Sequence, residues 1–413
     1  MRPVPVELLP ANTARDLRAI AQGWLAPNLR SQDAIEVFER EFTAMLGDGR
    51  AYSFAAGRVA LAAILDALGI GAEDEVIVPG YTCVAVPNPI LFAGAKPIYA
   101  DIERSTLNVS AATVLAVLTP RTRAIVVQHT FGLPVQMDEL LALARHRGIA
   151  IIEDCTHALG ATINGQTVGA MGDAAFFSLE QTKVISAGAG GVAYARDPVL
   201  SAKLHHFQHR CAIPSPRQTR RMMGYLAYSV LLRDPRWSSH FPNAQYYLER
   251  LDLIGGPIST DQEMRCEKPS AFACRLSGAQ ARVGSIQLAQ LAENLARRQA
   301  IAAIYEQALE GGRVGIFSGP PRSRPTYVRF PIRVRDKHEL ARDMQRQQIQ
   351  LGLWFTAPVH PVEVPQARAG YAVGSCPEAE AAVANVANLP CHPRMTAADA
   401  RRVVQAVLDS VHA

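Results

Sequence analysis

Between residues 51 and 197, short β-branched runs alternate with segments of helical period, and this alternation limits the fold more than any other feature of the chain. Units of this kind lay helices on both faces of a mostly parallel sheet. Strands buried on both faces then read as continuous apolar runs rather than as alternating ones. The pattern predicts strands at 75–78, 97–100, 124–128, 149–153, 174–178 and 191–195, with helices at 58–68, 83–92 and 137–147. The last of these helices stops at Gly148, directly before the next strand.

Beyond Arg196 the texture changes. Residues 201–269 are rich in Arg, Pro, Trp and Tyr without a clear period, and read as an insertion or an interface segment. A long helical pattern resumes over 280–309, followed by a strand at 328–334 and a terminal helix at 398–411. A chain of 413 residues, 49% of them hydrophobic, is long enough for two domains. The expected division is a large α/β domain over 1–290, carrying the insertion, and a smaller C-terminal α/β domain over 291–413.

Composition removes several function classes. A formal charge of +5 is small for this length and gives little footing for nucleic acid. Cysteines at 83, 155, 211, 266, 274, 376 and 391 form no CxxC pair and have no metal-like spacing with the histidines, so reduced thiols and no bound metal are expected. No apolar secretion segment follows the N-terminus, and the 222–232 run, MMGYLAYSVLL, is about half of what a bilayer span requires. A cytoplasmic protein is the expectation. With Arg217, Arg220 and Arg221 nearby, residues 217–232 have two readings: extra interface or lid, or an amphipathic patch on a membrane or lipid-linked substrate.

The stretch 149–191 holds the residues most able to do chemistry: IAIIEDCTHALGA, then GDAAFFSLEQTKVISAGAGG. Asp154 ends a buried strand, on the side of an open α/β sheet where ligands bind. It needs a cationic or hydrogen-bonding partner there, because a buried carboxylate is costly alone. A protonated pyridine nitrogen is one such partner; capping of the next helix by Glu153 and Asp154 is the plainer reading. Lysine is scarce, occurring only at 96, 183, 203, 268 and 337. Lys183 lies between a strand and the glycine-rich Gly188–Gly191 turn, where a desolvated amine can act as nucleophile and proton shuttle. Ser178 precedes it by five residues, and the turn Ala55-Ala56-Gly57 opens directly into a helix whose first amides can cradle a phosphate. Taken together, these are handles for the phosphate, ring nitrogen and aldehyde of pyridoxal 5'-phosphate.

The order AAGRVAL, VIVPGYTCVAVPNPILFAGAKPIYADIERSTLNV, EDCTHALGA, SxxxxK and GxGG, continuing through RLSGAQARVGSIQLAQLAENLARRQ to NLPCHPRMTAADARRVVQAV, resembles the DegT/StrS sugar aminotransferases. That resemblance implies a fold-type-I transferase acting as a homodimer with shared active sites. Its activity would be transfer of an amino group from glutamate or glutamine to a keto sugar nucleotide. It makes Lys183 the Schiff-base lysine, Asp154 the partner of the pyridine nitrogen and His157 a neighbour of the ring, all three catalytic. Gly57, Arg58 and Ser178 fall at phosphate contacts, and Tyr81 and Arg275 on the substrate side. Three departures stand out: Cys83 where an aromatic stacks on the ring, Ala273 where an asparagine reaches the partner's phosphate, and Ala189 in place of an acidic residue. Because of Cys83, ring stacking passes to His157 or Tyr81. A dehydratase or lyase, and a regulator that keeps the cofactor without catalysis, are the competing activities; the dehydratases of this family carry histidine at the lysine position. Gly188, Gly190 and Gly191 lack GxGxxG spacing, which argues against a nicotinamide dehydrogenase.

Overall fold

The computed structural model of the chain describes residues 4, 11–26, 32–232, 241, 243–255 and 260–412. Its centre is a seven-stranded sheet, in spatial order Arg50–Phe54, Gly191–Ala195, Ala174–Ser178, Ala150–Asp154, Thr122–Gln128, Glu75–Pro79 and Lys96–Ala100. The last five strands run parallel, while Gly191–Ala195 is antiparallel to both of its neighbours. Apolar side chains fill both faces, as the continuous runs required: Ile77, Ile125 and Ile151 pack on one side, Val78, Val126 and Ile152 on the other.

Residues 50–54 form a strand that the sequence pattern does not announce. The buried Ser53 interrupts its apolar character, and a remote residue satisfies that polarity: Ser53 N–H and Oγ both donate to Glu39 Oε1, at 2.7 Å each. The helix expected over 83–92 covers only Pro87–Phe92. Pro87 has no N–H to give to a preceding turn and sets the first helical position. Thr82–Cys83 instead pairs in parallel with Val359–His360. The 280–309 pattern likewise divides at Gln290 into Gly278–Ala289 and Leu291–Leu309.

The expectation of an aperiodic 201–269 needs correcting over the described residues. Helices span Pro198–Arg210, Pro216–Leu231, Ala244–Arg250 and Asp261–Met264; residues 233–240, 242 and 256–259 lie outside the described residues. Ser215 caps the second helix in a reciprocal box with Gln218, and Pro216 follows at the first position. The membrane reading of 217–232 also fails, because Met223 and Leu226 are core residues packed with Ala19, Ile20, Ala279 and Val283. Its cations are engaged as well: Arg217 and Arg221 pair with Asp252 at 2.6 and 3.2 Å, and Arg220 Nε donates to the Trp24 carbonyl. No helix among the described residues is long and apolar enough to cross a membrane.

A second, antiparallel sheet joins Gly315–Ile316, Phe330–Arg333 and Val386–Leu389. The terminal helix Ala397–His412 packs on Leu291–Leu309 and Lys337–Arg346. One apolar cluster runs from Val78 and Phe176 of the large sheet to Phe330 and Ile332 of the small one, so the two share a core.

Candidate active site

Parallel strands deliver their carboxyl ends to one edge of the sheet, and the chemistry-bearing residues gather there. Gln128 and Asp154 end neighbouring strands in register, and Ser178 ends the next. Asp154 is buried, with Oδ1 accepting the Thr156 N–H at 2.9 Å. Burial raises its pKa, and the Thr156 bonds and the charge on Lys183 only partly oppose that. The Lys183 amine is shifted the other way, downward, by burial and by the charge of Arg329, against the pull of Glu180, Cys83 and Asp154. The carboxylate and the amine therefore lie within electrostatic reach of each other.

His157 completes the edge. Its ring lies parallel to Phe131, at 4° and 6.0 Å between centroids, and Nδ1 accepts the Phe131 N–H at 3.3 Å. Burial, then Lys183 and Arg329, hold its pKa well below the usual histidine value. A neutral ring whose Nδ1 accepts must carry its proton on Nε2, so His157 offers a fixed N–H donor.

The turn before helix Gly57–Leu68 is shaped by what it lacks. Ala56 at the cap makes no side-chain hydrogen bond, so the first amides of the helix are left to an outside acceptor. A Cβ on Gly57 would stand 3.3 Å from the Phe177 carbonyl oxygen and 3.4 Å from Ser178 Cβ. A Cβ on Gly191 would stand 2.4 Å from the Ala56 carbonyl and the Gly57 nitrogen. Only glycine lets the strand approach so closely. Ser178 Oγ accepts the Glu180 N–H at 3.3 Å, which leaves its proton free to donate. An uncapped helix start beside a hydroxyl donor, a buried carboxylate and a depressed amine fits phosphate, ring nitrogen and aldehyde of pyridoxal phosphate in turn.

Other expected residues fall differently. Arg58 makes a close ion pair with the buried Glu263, so what residue 58 offers a phosphate is its main chain. Arg275 is turned away: Nε and Nη2 donate to the Gln208 and His209 carbonyls at 2.7 Å each, capping the end of Pro198–Arg210. Tyr81 is fully buried, edge-on to Phe355 at 4.7 Å and Phe131 at 6.3 Å. Cys83 is half-buried within the electrostatic reach of Lys183, Asp154 and Arg58, and burial pushes its thiol pKa up.

Three residues of this edge escaped the sequence reading. Gln128 donates from Nε2 to the Tyr81 carbonyl at 3.0 Å and accepts from Thr82 Oγ1 at 2.7 Å, which fixes the segment carrying Cys83. Its position closing a predicted strand beside that of Asp154 was the available signal. Arg329 lies 4.5 Å over the Trp354 ring, and His360 stands 4.1 Å from that ring. Burial, then Arg329, Lys337 and Lys183, lower the His360 pKa to about 3. Nothing local in the sequence marks either, because the chain brings them from far downstream.

His129, Glu153 and Cys155 form the one cluster of metal-ligating type among the described residues, and the bonds of His129 and Glu153 are already committed. Glu153 accepts the N–H groups of Gly169, Met171 and Gly172 at 2.7–2.8 Å and His129 Nε2 at 3.2 Å. His129 Nδ1 accepts the Val135 N–H. This bracket holds the strand end from which Asp154 projects. All seven cysteines are free thiols.

The DegT/DnrJ/EryC1/StrS aminotransferase family pattern matches residues 11–235 and 241–408. The chain is 31% identical over 377 residues to GDP-perosamine synthase of Caulobacter vibrioides, covering 91% of this chain and 89% of that one. It is 33% identical over 278 residues to L-glutamine:2-deoxy-scyllo-inosose aminotransferase of Streptomyces fradiae, covering 67% and 63%. Among solved structures, DesV of S. venezuelae, in complex with a ketimine intermediate, superposes with a TM-score of 0.76 at 28% identity, covering 97% and 96%. TlmJ of Streptoalloteichus hindustanus shares the fold, with a TM-score of 0.77.

Proposed function

The chain belongs to the DegT/DnrJ/EryC1/StrS aminotransferase family, pyridoxal-phosphate-dependent enzymes of fold type I, and from that premise we propose that it moves an amino group from glutamate or glutamine to a keto sugar nucleotide, with Lys183 as the covalent attachment point. The observation that carries this reading is that Asp154 ends a buried parallel strand within electrostatic reach of Lys183, whose pKa is lowered.

Bound there, pyridoxal phosphate supplies an electron sink for bond breaking at the amino carbon and carries the amino group between donor and acceptor. The protein's part is positioning and proton transfer. Asp154 would accept a hydrogen bond from the ring nitrogen and favour its protonated form. The amides at Gly57 and Arg58, with Ser178 Oγ, would hold the phosphate, and His157 Nε2–H would face the ring oxygen. The Lys183 amine would take the proton from the donor's carbon and, in the second half-reaction, return one to the acceptor's. Its lowered pKa shifts the amine toward the neutral form that this task needs.

Lys183 itself favours transamination over the dehydratase reading. The named activity of the Caulobacter relative favours a nucleotide-linked keto sugar; that of the Streptomyces relative supports a keto cyclitol as the second reading. Purified protein offered each acceptor class with glutamate or glutamine separates them: amination of the nucleotide-linked substrate supports the first, and turnover of the free cyclitol alone replaces it. A dehydratase would instead eliminate water and yield a deoxygenated sugar without an amino group. We further propose a homodimer with shared active sites, checked by light scattering, and a boundary between large and small domains at the Gln290 break.

A further inference from the structure

Lys183 sits in the stretch 179–190, which links two strands of the large sheet without regular structure of its own. Buried main-chain groups in such a stretch need partners from elsewhere. Before the lysine the partners are local: the Lys183 N–H donates to the Glu180 carbonyl at 3.0 Å. After it some are again local, Ala187 N–H to the Leu179 carbonyl and Gly188 N–H to Ser186 Oγ, and Asn12 Nδ2 donates to the Ser186 carbonyl. The others come from three carboxamides spaced seven residues apart on two successive helices, Gln280, Gln287 and Asn294.

Gln280 Nε2 donates to the Ala189 and Ala187 carbonyls at 2.9 and 3.4 Å. Gln287 Oε1 accepts the Ser186 N–H at 3.4 Å, and its Nε2 is anchored on Asp16. Asn294 Nδ2 donates to the Val184 carbonyl at 2.6 Å, while its Oδ1 accepts Arg298 Nε at 2.7 Å. Arg298 in turn donates to the carbonyls of Tyr327, Val328 and Cys391 at 3.2, 3.1 and 2.5 Å. All three carboxamides are buried. The residue after Lys183 is thereby tied through two side chains to the segment that leads into Arg329.

We propose that Gln280, Gln287 and Asn294 are positioning residues for the reaction, a ladder of carboxamides that fixes the main chain after Lys183 and so the place to which its amine returns in each half-reaction. Their bonds go to the main chain that follows Lys183, so they act through the lysine. The proposal rests on Lys183 being the cofactor-bearing lysine.

The test uses holoenzyme of Asn294→Leu and Gln280→Leu, variants that keep the bulk and remove the bonds. Single-turnover rates of both half-reactions should fall roughly ten- to a hundred-fold, the effect of misplacing a reacting group by about an ångström, with acceptor KM within about two-fold. The pH midpoint of the covalent cofactor band should move in the same variants, a change that loss of general stability does not produce. Wild-type rates and midpoint in proteins with a lowered melting temperature would overturn the proposal. Should a variant not fold, hydrogen exchange on wild-type holoenzyme decides. Protection of the Ser186 amide comparable to strand Ala174–Ser178 supports the ladder, and exchange as fast as in an exposed loop refutes it. A cofactor attached to another lysine would instead defeat the functional reading, which is visible in the wild type before any variant is made.

Discussion

Replacing Glu153 by Gln removes a charge from the bracket behind Asp154 while leaving its shape. In the wild type, Oε1 accepts from Met171 and Gly172, and Oε2 accepts from Gly169 and His129. A carboxamide can keep the first pair of bonds, but its NH₂ then faces the Gly169 N–H and His129 Nε2. His129 cannot answer by moving its proton, since Nδ1 accepts from Val135. Losing the charge-assisted bonds and orphaning two buried donors, Gly169 N–H and His129 Nε2–H, together cost about 3–5 kcal/mol. With an unfolding entropy of about 2.1 cal/mol/K per residue, that corresponds to a melting temperature lower by roughly 4–6 °C at neutral pH. Burial alone would raise the Glu153 pKa, but the bond from His129 and the Gly172 and Gly169 amides hold it below the ordinary value. A depressed folded-state pKa stabilises above the unfolded pKa and loses that contribution as pH falls through the folded value. The gap between wild type and variant should therefore narrow as the pH drops below the usual glutamate range. Calorimetry from pH 7 down to pH 4 reads both effects, and equal melting temperatures throughout would refute the reasoning.

Asp154→Asn should still bind the cofactor but slow both half-reactions by roughly 10²–10⁴, read by stopped-flow absorbance, because the ring nitrogen loses its anionic partner; unchanged rates would remove Asp154 from its role. Gly191→Ala places a methyl 2.4 Å from the Ala56–Gly57 main chain and should weaken cofactor affinity at least about ten-fold in a titration, through displacement of the phosphate turn. Met223→Lys puts a charge among Ala19, Ile20, Leu226 and Val283 and should cost about 3 kcal/mol or more of stability in a denaturant titration. A merely surface-facing helix would tolerate it.

Much of this was legible in the sequence because buried parallel strands cannot avoid apolar runs, and ligand groups sit where those runs end. Asp154 and Ser178 could be placed at strand ends from that rule, and Lys183 in the turn that follows. Arg50–Phe54 was not, since Ser53 is satisfied by Glu39 fourteen positions away, a pairing no local window reveals. Arg58 and Arg275 carried the right residue types, but their partners, Glu263 and the end of Pro198–Arg210, come from the stretch read as aperiodic. That stretch hid its helices because its starts are written in Asp197-Pro198 and Ser215-Pro216 rather than in hydrophobic period. Arg329 and His360 reach the site only through long-range packing.

Five lysines compete for the cofactor, and two of them have depressed pKa values. Lys337 is lowered to about 8 by burial, but its Nζ donates to the Phe355 and Leu353 carbonyls at 2.7 and 3.3 Å, which keeps it a structural cation. Borohydride reduction of protein loaded with pyridoxal phosphate, followed by peptide mass mapping, tells them apart. The pyridoxyl mass should appear on the peptide containing Lys183, and Lys183→Ala should abolish it together with the visible band. Label on Lys337 or Lys203, or none at all, would contradict the assignment.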